Sequence, residues 1–330
     1  MSLRSRIIYS LLIIFFVSSQ TVHAQVKPDT QAQERKALYL KTALLTDVPW
    51  NVLAGCDQYA RNINALRLEK KNKNELISIT FPKRVWAGPL NPDLNDENPK
   101  TIALFGGVGK DGNGDGHASL ESPEDRLYTF AEQIVQSGPG EENIRIGLWN
   151  IYNRGKAVDL IEDFARLFDY ATPAKLEQHA FPVPTNYNYD YASTWGAKRG
   201  WGGNRIHEGT DIFADYGTPV RATAYGVIEL IGWNKYGGWR IGLRDLHGNY
   251  HYFAHLNGYA PGIHHNVITK PGQVIGYVGS SGYGPKGTMG KFPPHLHYGL
   301  YRDNGHAEYS VDPYPALRIW EQQANKNESK

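Results

Sequence analysis

The chain changes its hydrophobic rhythm near the middle. Up to about residue 176, apolar positions recur every three or four residues. This holds in "ERKALYLKTALL" (34–45), "VPWNVLAGCDQYARNINAL" (48–66), "SPEDRLYTFAEQIVQSG" (122–138) and "GKAVDLIEDFARLFDYA" (155–171). That spacing gathers apolar side chains on one face of a helix. Ser122, Pro123 and Glu124 form a helix-start signal of cap, first-turn proline and early acid. From about residue 205 the period falls to two. "TPVRATAYGVIELIGW" (218–233), "GWRIGLRDLHGNYHYFAHL" (238–256), "GQVIGYVGSSG" (272–282) and "PHLHYGLYRDNG" (294–305) are short, alternating and rich in β-branched and aromatic residues. Glycine and asparagine turns bound them, and "HGN" at 247–249 suits a hairpin tip. Between the halves, residues 177–204 carry Pro, Asn, Gly and Tyr without a period and read as a surface linker. The expected architecture is therefore α+β and multidomain. A helical domain spans 36–176, a linker 177–204, and an antiparallel β domain 205–318.

Composition changes this picture at the ends. Arg4 and Arg6 precede the apolar stretch 7–19, and "VHA" ends at Ala24. This is the layout of an export signal, shorter than the roughly 20 residues of a membrane span. Residues 1–24 are thus expected to direct the chain out of the cytoplasm. The remainder, roughly 300 residues, is long enough for two domains. Lys and Arg total 35 against 33 Asp and Glu, a balance that gives no case for nucleic acid. The single cysteine, Cys56, excludes an intramolecular disulfide and reads as a small buried helical residue.

Ten of the twelve histidines lie at or beyond His179. His295 and His297 stand two apart in "PPHLHYGL", so a strand would project both from one face. "RIHEGTDIF" places His207 and Asp211 four apart around Gly209, at the entry to a strand. Zinc accepts histidine nitrogen and aspartate oxygen, and a catalytic site keeps three protein ligands. His207, Asp211 and one histidine of the pair would supply such a set. "YHYFAHL" adds His251 and His255 near another strand end.

"HEGTD", "YHYFAHL", "GSSGYG" and "PPHLHYGL", in that order, resemble the lysostaphin-type zinc endopeptidases, which cut peptide bonds in peptidoglycan. The resemblance covers roughly 200–315. It implies that His207, Asp211 and His297 hold Zn2+ and that His255 and His295 are catalytic. Independent chemistry agrees: proton transfer to a leaving amine needs a group titrating near working pH, and histidine fits. The other histidines read as structural. His247 is expected to be solvated at its hairpin tip, and His264 and His265 to lie on a surface loop. His251 would join His255 only if its strand were regular. Ser280 and Ser281 read as a turn, since no third group is evident to orient a base for a serine nucleophile.

"VPWNVLAGCDQYARN" and residues 105–134 resemble lysozyme-like lytic transglycosylases. That family's catalytic Glu aligns with Ala60, and Asp57 one turn earlier is no evident substitute. Without a general acid, glycan cleavage is not expected, and the helical domain reads as a wall-binding or positioning module. Asp111, Asn113, Asp115 and Gly116 fit the front of a calcium loop, although Ser122 stands where its bidentate Glu belongs. The whole layout resembles the Bacillus-type sporulation endopeptidases that cut L-Ala–D-Glu. This implies an exported enzyme whose partners are stem peptides and glycan strands of the wall or spore cortex. The alternatives are an endopeptidase for cross-links and a noncatalytic wall-binding scaffold or activator.

Overall fold

The structure is a computed structural model that describes residues 28–66, 75–200 and 205–328. The expected export signal lies outside the described residues. Among them no helix is long and apolar enough to cross a membrane.

Helices fill the first half: α1 (Pro28–Thr46), α2 (Trp50–Leu66), α3 (Lys83–Ala87), α4 (Pro99–Leu104), α5 (Pro123–Ile134), α6 (Glu141–Tyr152), α7 (Gly155–Tyr170) and α8 (Pro173–Leu176). Their apolar stripes meet in one core that includes Leu53, Ile63, Leu127, Leu148, Ile161 and Phe164. Helices α2 and α7 pack closely because Gly55 has no side chain; a Cβ there would lie 2.6 Å from the Ile161 carbonyl oxygen. Cys56 is buried in the same core. At the start of α5 the Ser122 hydroxyl accepts from the Asp125 amide (3.1 Å), the cap expected from its sequence.

The second half is an antiparallel sheet built from β1 (Tyr189–Tyr191), β4 (Thr210–Ala214), β5 (Pro219–Arg221), β6 (Gly226–Asn234), β7 (Gly238–Asp245), β8 (Tyr250–Tyr259), β9 (Ile268–Thr269), β10 (Val274–Val278), β11 (His295–Asp303) and β12 (Glu308–Val311). The main order is β1-β4-β11-β8-β7-β6-β9, with β12 beside β11 and β10 joining β5 to β8. A separate hairpin pairs β2 (Lys198–Arg199) with β3 (Arg205–Ile206). One sheet face is apolar. It buries Ile212, Ile241, Leu243, Phe253, Leu296 and Tyr298.

One region differs from expectation. The stretch expected as a surface linker is woven into the β half. Phe181 and Val183 are wholly buried in its core, and β1 extends the sheet beside β4. The tyrosines of "YNYDY" alternate as a strand does, and the hydroxyls of Tyr189 and Tyr191 both donate to Glu321 (2.6 and 2.8 Å). That glutamate belongs to α9 (Tyr314–Glu328), which runs past residue 318 and returns Leu317 and Trp320 to the β core. The residues that fit the front of a calcium loop bond to their own backbone. Asp111 accepts the amides of Gly114 and Gly116, Asn113 accepts that of Asp115, and Asp115 accepts that of His117. These oxygens fold their own loop onto Asp125, which accepts three further amides, and Ser122 is committed to its cap.

Candidate metal centre and active site

The open face of the sheet carries the chemistry. Strand pairing sets His297 of β11 directly opposite Asp211 of β4, with Ala254 of β8 on its other side. His207 sits between β3 and β4, its amide bonded to the Ala197 carbonyl (2.8 Å). His207 Nε2 lies 3.1 Å from Asp211 Oδ1 and 2.9 Å from His297 Nδ1, which is 3.0 Å from the same carboxylate oxygen. Among the described residues, this is the one group of three His, Cys, Asp or Glu side chains spaced for a metal ion. Gly209 makes the approach possible. A Cβ on it would meet the His297 ring at 2.7 Å and the Tyr298 carbonyl at 2.6 Å.

The donor set suits zinc. A tetrahedral ion with bonds of 2.0–2.1 Å holds its ligand atoms roughly 3.3 Å apart, near the separations seen. His207 Nδ1 faces the Thr194 carbonyl (2.9 Å). Donating its proton there leaves the Nε2 lone pair toward the group, an arrangement common in metal-binding histidines. The donors already attract positive charge: the Arg199 guanidinium bonds Asp211 and lies 2.8 Å from His207 Nε2. Burial alone would raise the Asp211 carboxyl. The neighbouring His207 and His297 side chains outweigh it and hold the group ionised, far below the carboxylate range.

His255 and His295 border this triad. As the two-residue spacing implies, His295 and His297 project from the same face of β11. His295 Nδ1 lies 2.8 Å from the Pro293 carbonyl, and His255 Nδ1 lies 2.8 Å from the Ser281 carbonyl. Each ring is thereby held through Nδ1 with Nε2 on its far side, and His255 also lines the cleft. His295 Nε2 is buried without a hydrogen-bond partner, 3.7 Å from Asp211 Oδ1. The ring centroids of His255 and His295 are 4.9 Å apart, and Phe292 packs against both. Burial lowers both imidazole pKa values; His255 is further depressed by its histidine neighbours. Both are therefore neutral near pH 7, as a proton acceptor must be.

His255 reaches this position by an irregularity in β8. Its backbone is left-handed (φ 63°), and the pairing of β7 with β8 shifts register there. His251, four residues earlier, consequently faces the other side. It is buried among Asp245 (3.1 Å), Thr223 (2.8 Å) and Tyr298 (2.7 Å), away from the triad. His247 is not simply solvated, since it pairs with Glu177 (2.7 Å). His264 and His265 are exposed, as expected. Ser280 and Ser281 hold backbone: their hydroxyls accept the amides of Gly290 and Trp239. The carbonyls of Thr194, Ser281 and Pro293 orient three imidazoles, and sequence reasoning did not single them out. A carbonyl is common to every residue type, so no letter marks it. Arg199, Arg240 and Tyr252 in the cleft were also missed. Arg240 was accessible in principle, as an arginine on the polar face of "WRIGLRD".

In the helical half, Ala60 lines a groove with Phe81, Gln133 and Tyr152. Asp57 is sealed beneath it. Its carboxylate accepts from Tyr39 (2.7 Å), Arg61 (2.9 Å) and the Ser78 amide, and it is 1% exposed. It has no access to a ligand in that groove.

Residues 205–313 match the model of Peptidase family M23, and the chain belongs to this family. It is accordingly a metallopeptidase. Over 312 residues it is 52% identical to the L-Ala–D-Glu endopeptidase of Bacillus subtilis (strain 168), a match covering 94% of this chain and 96% of that protein. Lysostaphin of Staphylococcus simulans is 36% identical over 115 residues, which is 34% of this chain and 22% of lysostaphin. Glycyl-glycine endopeptidase ALE-1 of Staphylococcus capitis is 37% identical over 119 residues, 36% of this chain and 30% of that enzyme. Among solved structures, the lysostaphin catalytic domain from Staphylococcus simulans is 33% identical, covers 43% of this chain and 99% of its own, and gives a TM-score of 0.34.

Proposed function

We propose that the protein is an exported zinc endopeptidase that hydrolyses the L-Ala–D-Glu bond of peptidoglycan stem peptides, in cell-wall or spore-cortex remodelling. The observation that carries this reading is the His207–Asp211–His297 triad flanked by two buried, neutral imidazoles. The full-length likeness to an L-Ala–D-Glu endopeptidase supports the choice of bond. Zinc held by the triad would polarise the scissile carbonyl and acidify a water molecule. His255 and His295 then handle the protons. A neutral imidazole Nε2 accepts the proton of the attacking water, and the imidazolium so formed delivers that proton to the leaving amine as the C–N bond breaks. The backbone carbonyls at Nδ1 keep each ring in the tautomer this requires. Phe292 and Phe213, packed at a tilt against His295, limit water at that imidazole.

The helical half fits a noncatalytic positioning role. With Ala60 at its groove and Asp57 sealed, no described residue lining that groove is a carboxylic acid for glycan cleavage, while the groove could still hold a glycan strand. A held strand would raise the local concentration of stem peptides near the triad. The test of the reading is a defined muropeptide containing a single L-Ala–D-Glu bond, incubated with the full-length zinc protein. Release of a fragment with amino-terminal Glu supports it; an intact substrate beside cleaved glycyl-glycine or cross-link peptides overturns it.

A further inference from the structure

The cleft holds positive charge that the triad and the two imidazoles do not use. It measures about 620 Å³, and Arg205 and Arg240 line it together with His207, His255 and His297. Arg240 lies on β7 between Trp239 and Ile241, which pair with Leu256 and Phe253 of β8, and Ile241 faces the apolar core. Alternation turns Arg240 to the open face, the face of His297. One strand, β8, separates β7 from β11, so Arg240 and His297 stand two strand spacings apart, about 10 Å. Arg240 is half-buried. Its Nε is enclosed without a hydrogen-bond partner, and it forms no ion pair with a described carboxylate. Arg244, four residues along the same face, is a contrast: it bonds Glu229 (2.9 Å) and Glu308 (2.5 Å).

The surroundings favour an anion beside Arg240. Tyr252 stands near both guanidiniums; burial raises its hydroxyl pKa, and Arg240 and then Arg205 oppose that rise. Arg205 is bonded to the Tyr283 hydroxyl and lies over the rings of Tyr236 and Tyr283 (5.5 and 5.7 Å). The carboxylates of the cleft are engaged elsewhere, Glu308 with Arg244 and Glu208 with the Tyr301 hydroxyl (3.3 Å).

We propose that Arg240, assisted by Arg205, binds the free carboxylate of the acidic residue that follows the scissile bond, and so selects L-Ala–D-Glu over neutral links. This rests on the L-Ala–D-Glu reading. A Glu within a peptide keeps one carboxyl free, whichever of its two carboxyls continues the chain. A glycyl-glycine link offers no such charge. Arginine suits the task because its planar fork meets a carboxylate with two parallel hydrogen bonds.

The test compares two muropeptides that differ only at that Glu, one with the free carboxylate and one with the carboxamide. The full-length zinc protein is expected to favour the carboxylate by about 10- to 100-fold in kcat/KM. Arg240→Gln should bring this ratio close to one, chiefly through KM, and Arg240→Lys should restore part of it. Arg205→Gln should reduce the ratio less. Zinc content should match wild type in each variant, which separates recognition from damage to the triad. A wild-type ratio near one, or a ratio unchanged in a folded Arg240→Gln protein, overturns the proposal. If product masses show cleavage at some other bond, the L-Ala–D-Glu reading fails and the carboxylate subsite falls with it.

Discussion

At the scale of the residue, each histidine's role follows from what its second nitrogen touches. His207 sends Nδ1 to a carbonyl and Nε2 to the triad, so His207→Ala should lose zinc, measured as metal per chain after dialysis. His255 and His295 have the same Nδ1 anchor but border the triad. Replacing either with Ala should leave most of the zinc and lower turnover by about 10²- to 10⁴-fold, the usual range for one acid/base group. If both variants lost their metal, the division of labour would be wrong. Their pKa values are lowered by burial, and a divalent cation beside them pushes the same way. They stay neutral until the pH falls below the ordinary histidine value of about 6.5. The acid limb of kcat/KM should therefore lie below pH 6.5; a limb well above it would contradict the assignment. Gly209→Ala should weaken zinc binding with no loss of a donor, because its Cβ collides with the His297 ring. The grouping of these five side chains was legible because two-residue alternation and motif order both act on side chains. The three orienting carbonyls were not, since a backbone group has no signature in the sequence.

At the scale of the element, the strand is where pattern and fold agree and then part. Alternation along "HLHYGLY" correctly sends His295 and His297 to one face and Leu296 and Tyr298 to the core. The same logic fails along "YHYFAHL", where the left-handed residue at His255 shifts the phase and leaves His251 in the core. A bulge depends on pairing with β7, which one strand's sequence does not display. The linker was misread for a related reason: Phe181 and Val183 are isolated apolar residues among prolines, and only the sheet gives them a partner. Between α7 and β6, an acid pair makes an element-level prediction. Glu229 stays ionised: burial opposes this, but Arg244 and Lys156 outweigh it. Asp163 faces it, and burial and the Glu229 charge push its carboxyl up to about 7. A folded pKa above the unfolded value favours folding at low pH and is lost as pH rises. Asp163→Asn should thus stabilise the protein above pH 7, by a gain that grows from about pH 4 to 7 and then levels off. Thermal melts across that range check it; a gain confined to acid would contradict it.

At the scale of the whole molecule, the two halves share a core. Val227 of β6 and Leu246 beyond β7 pack into the helical cluster, and Arg154 of α6–α7 pairs with Asp303 of β11 (2.6 Å). Asn62 of α2 donates to the Leu246 carbonyl (3.0 Å), and Arg166 of α7 bonds Asn266. The helical half is therefore fixed against the edge of the sheet that carries the triad. The chain's helix-then-strand order was plain in the sequence, whereas this shared core was not, because Val227 and Leu246 look like any other sheet residues. Since the halves are joined, the full chain is the form to assay. The most direct measurement is mass spectrometry of the ends released when the full-length zinc protein digests purified peptidoglycan. The account predicts new amino-terminal Glu paired with new carboxyl-terminal Ala, no new reducing or anhydro-sugar ends, and neither peptide end from the His295→Ala protein. New ends at a cross-bridge, or sugar ends without peptide ends, would contradict it.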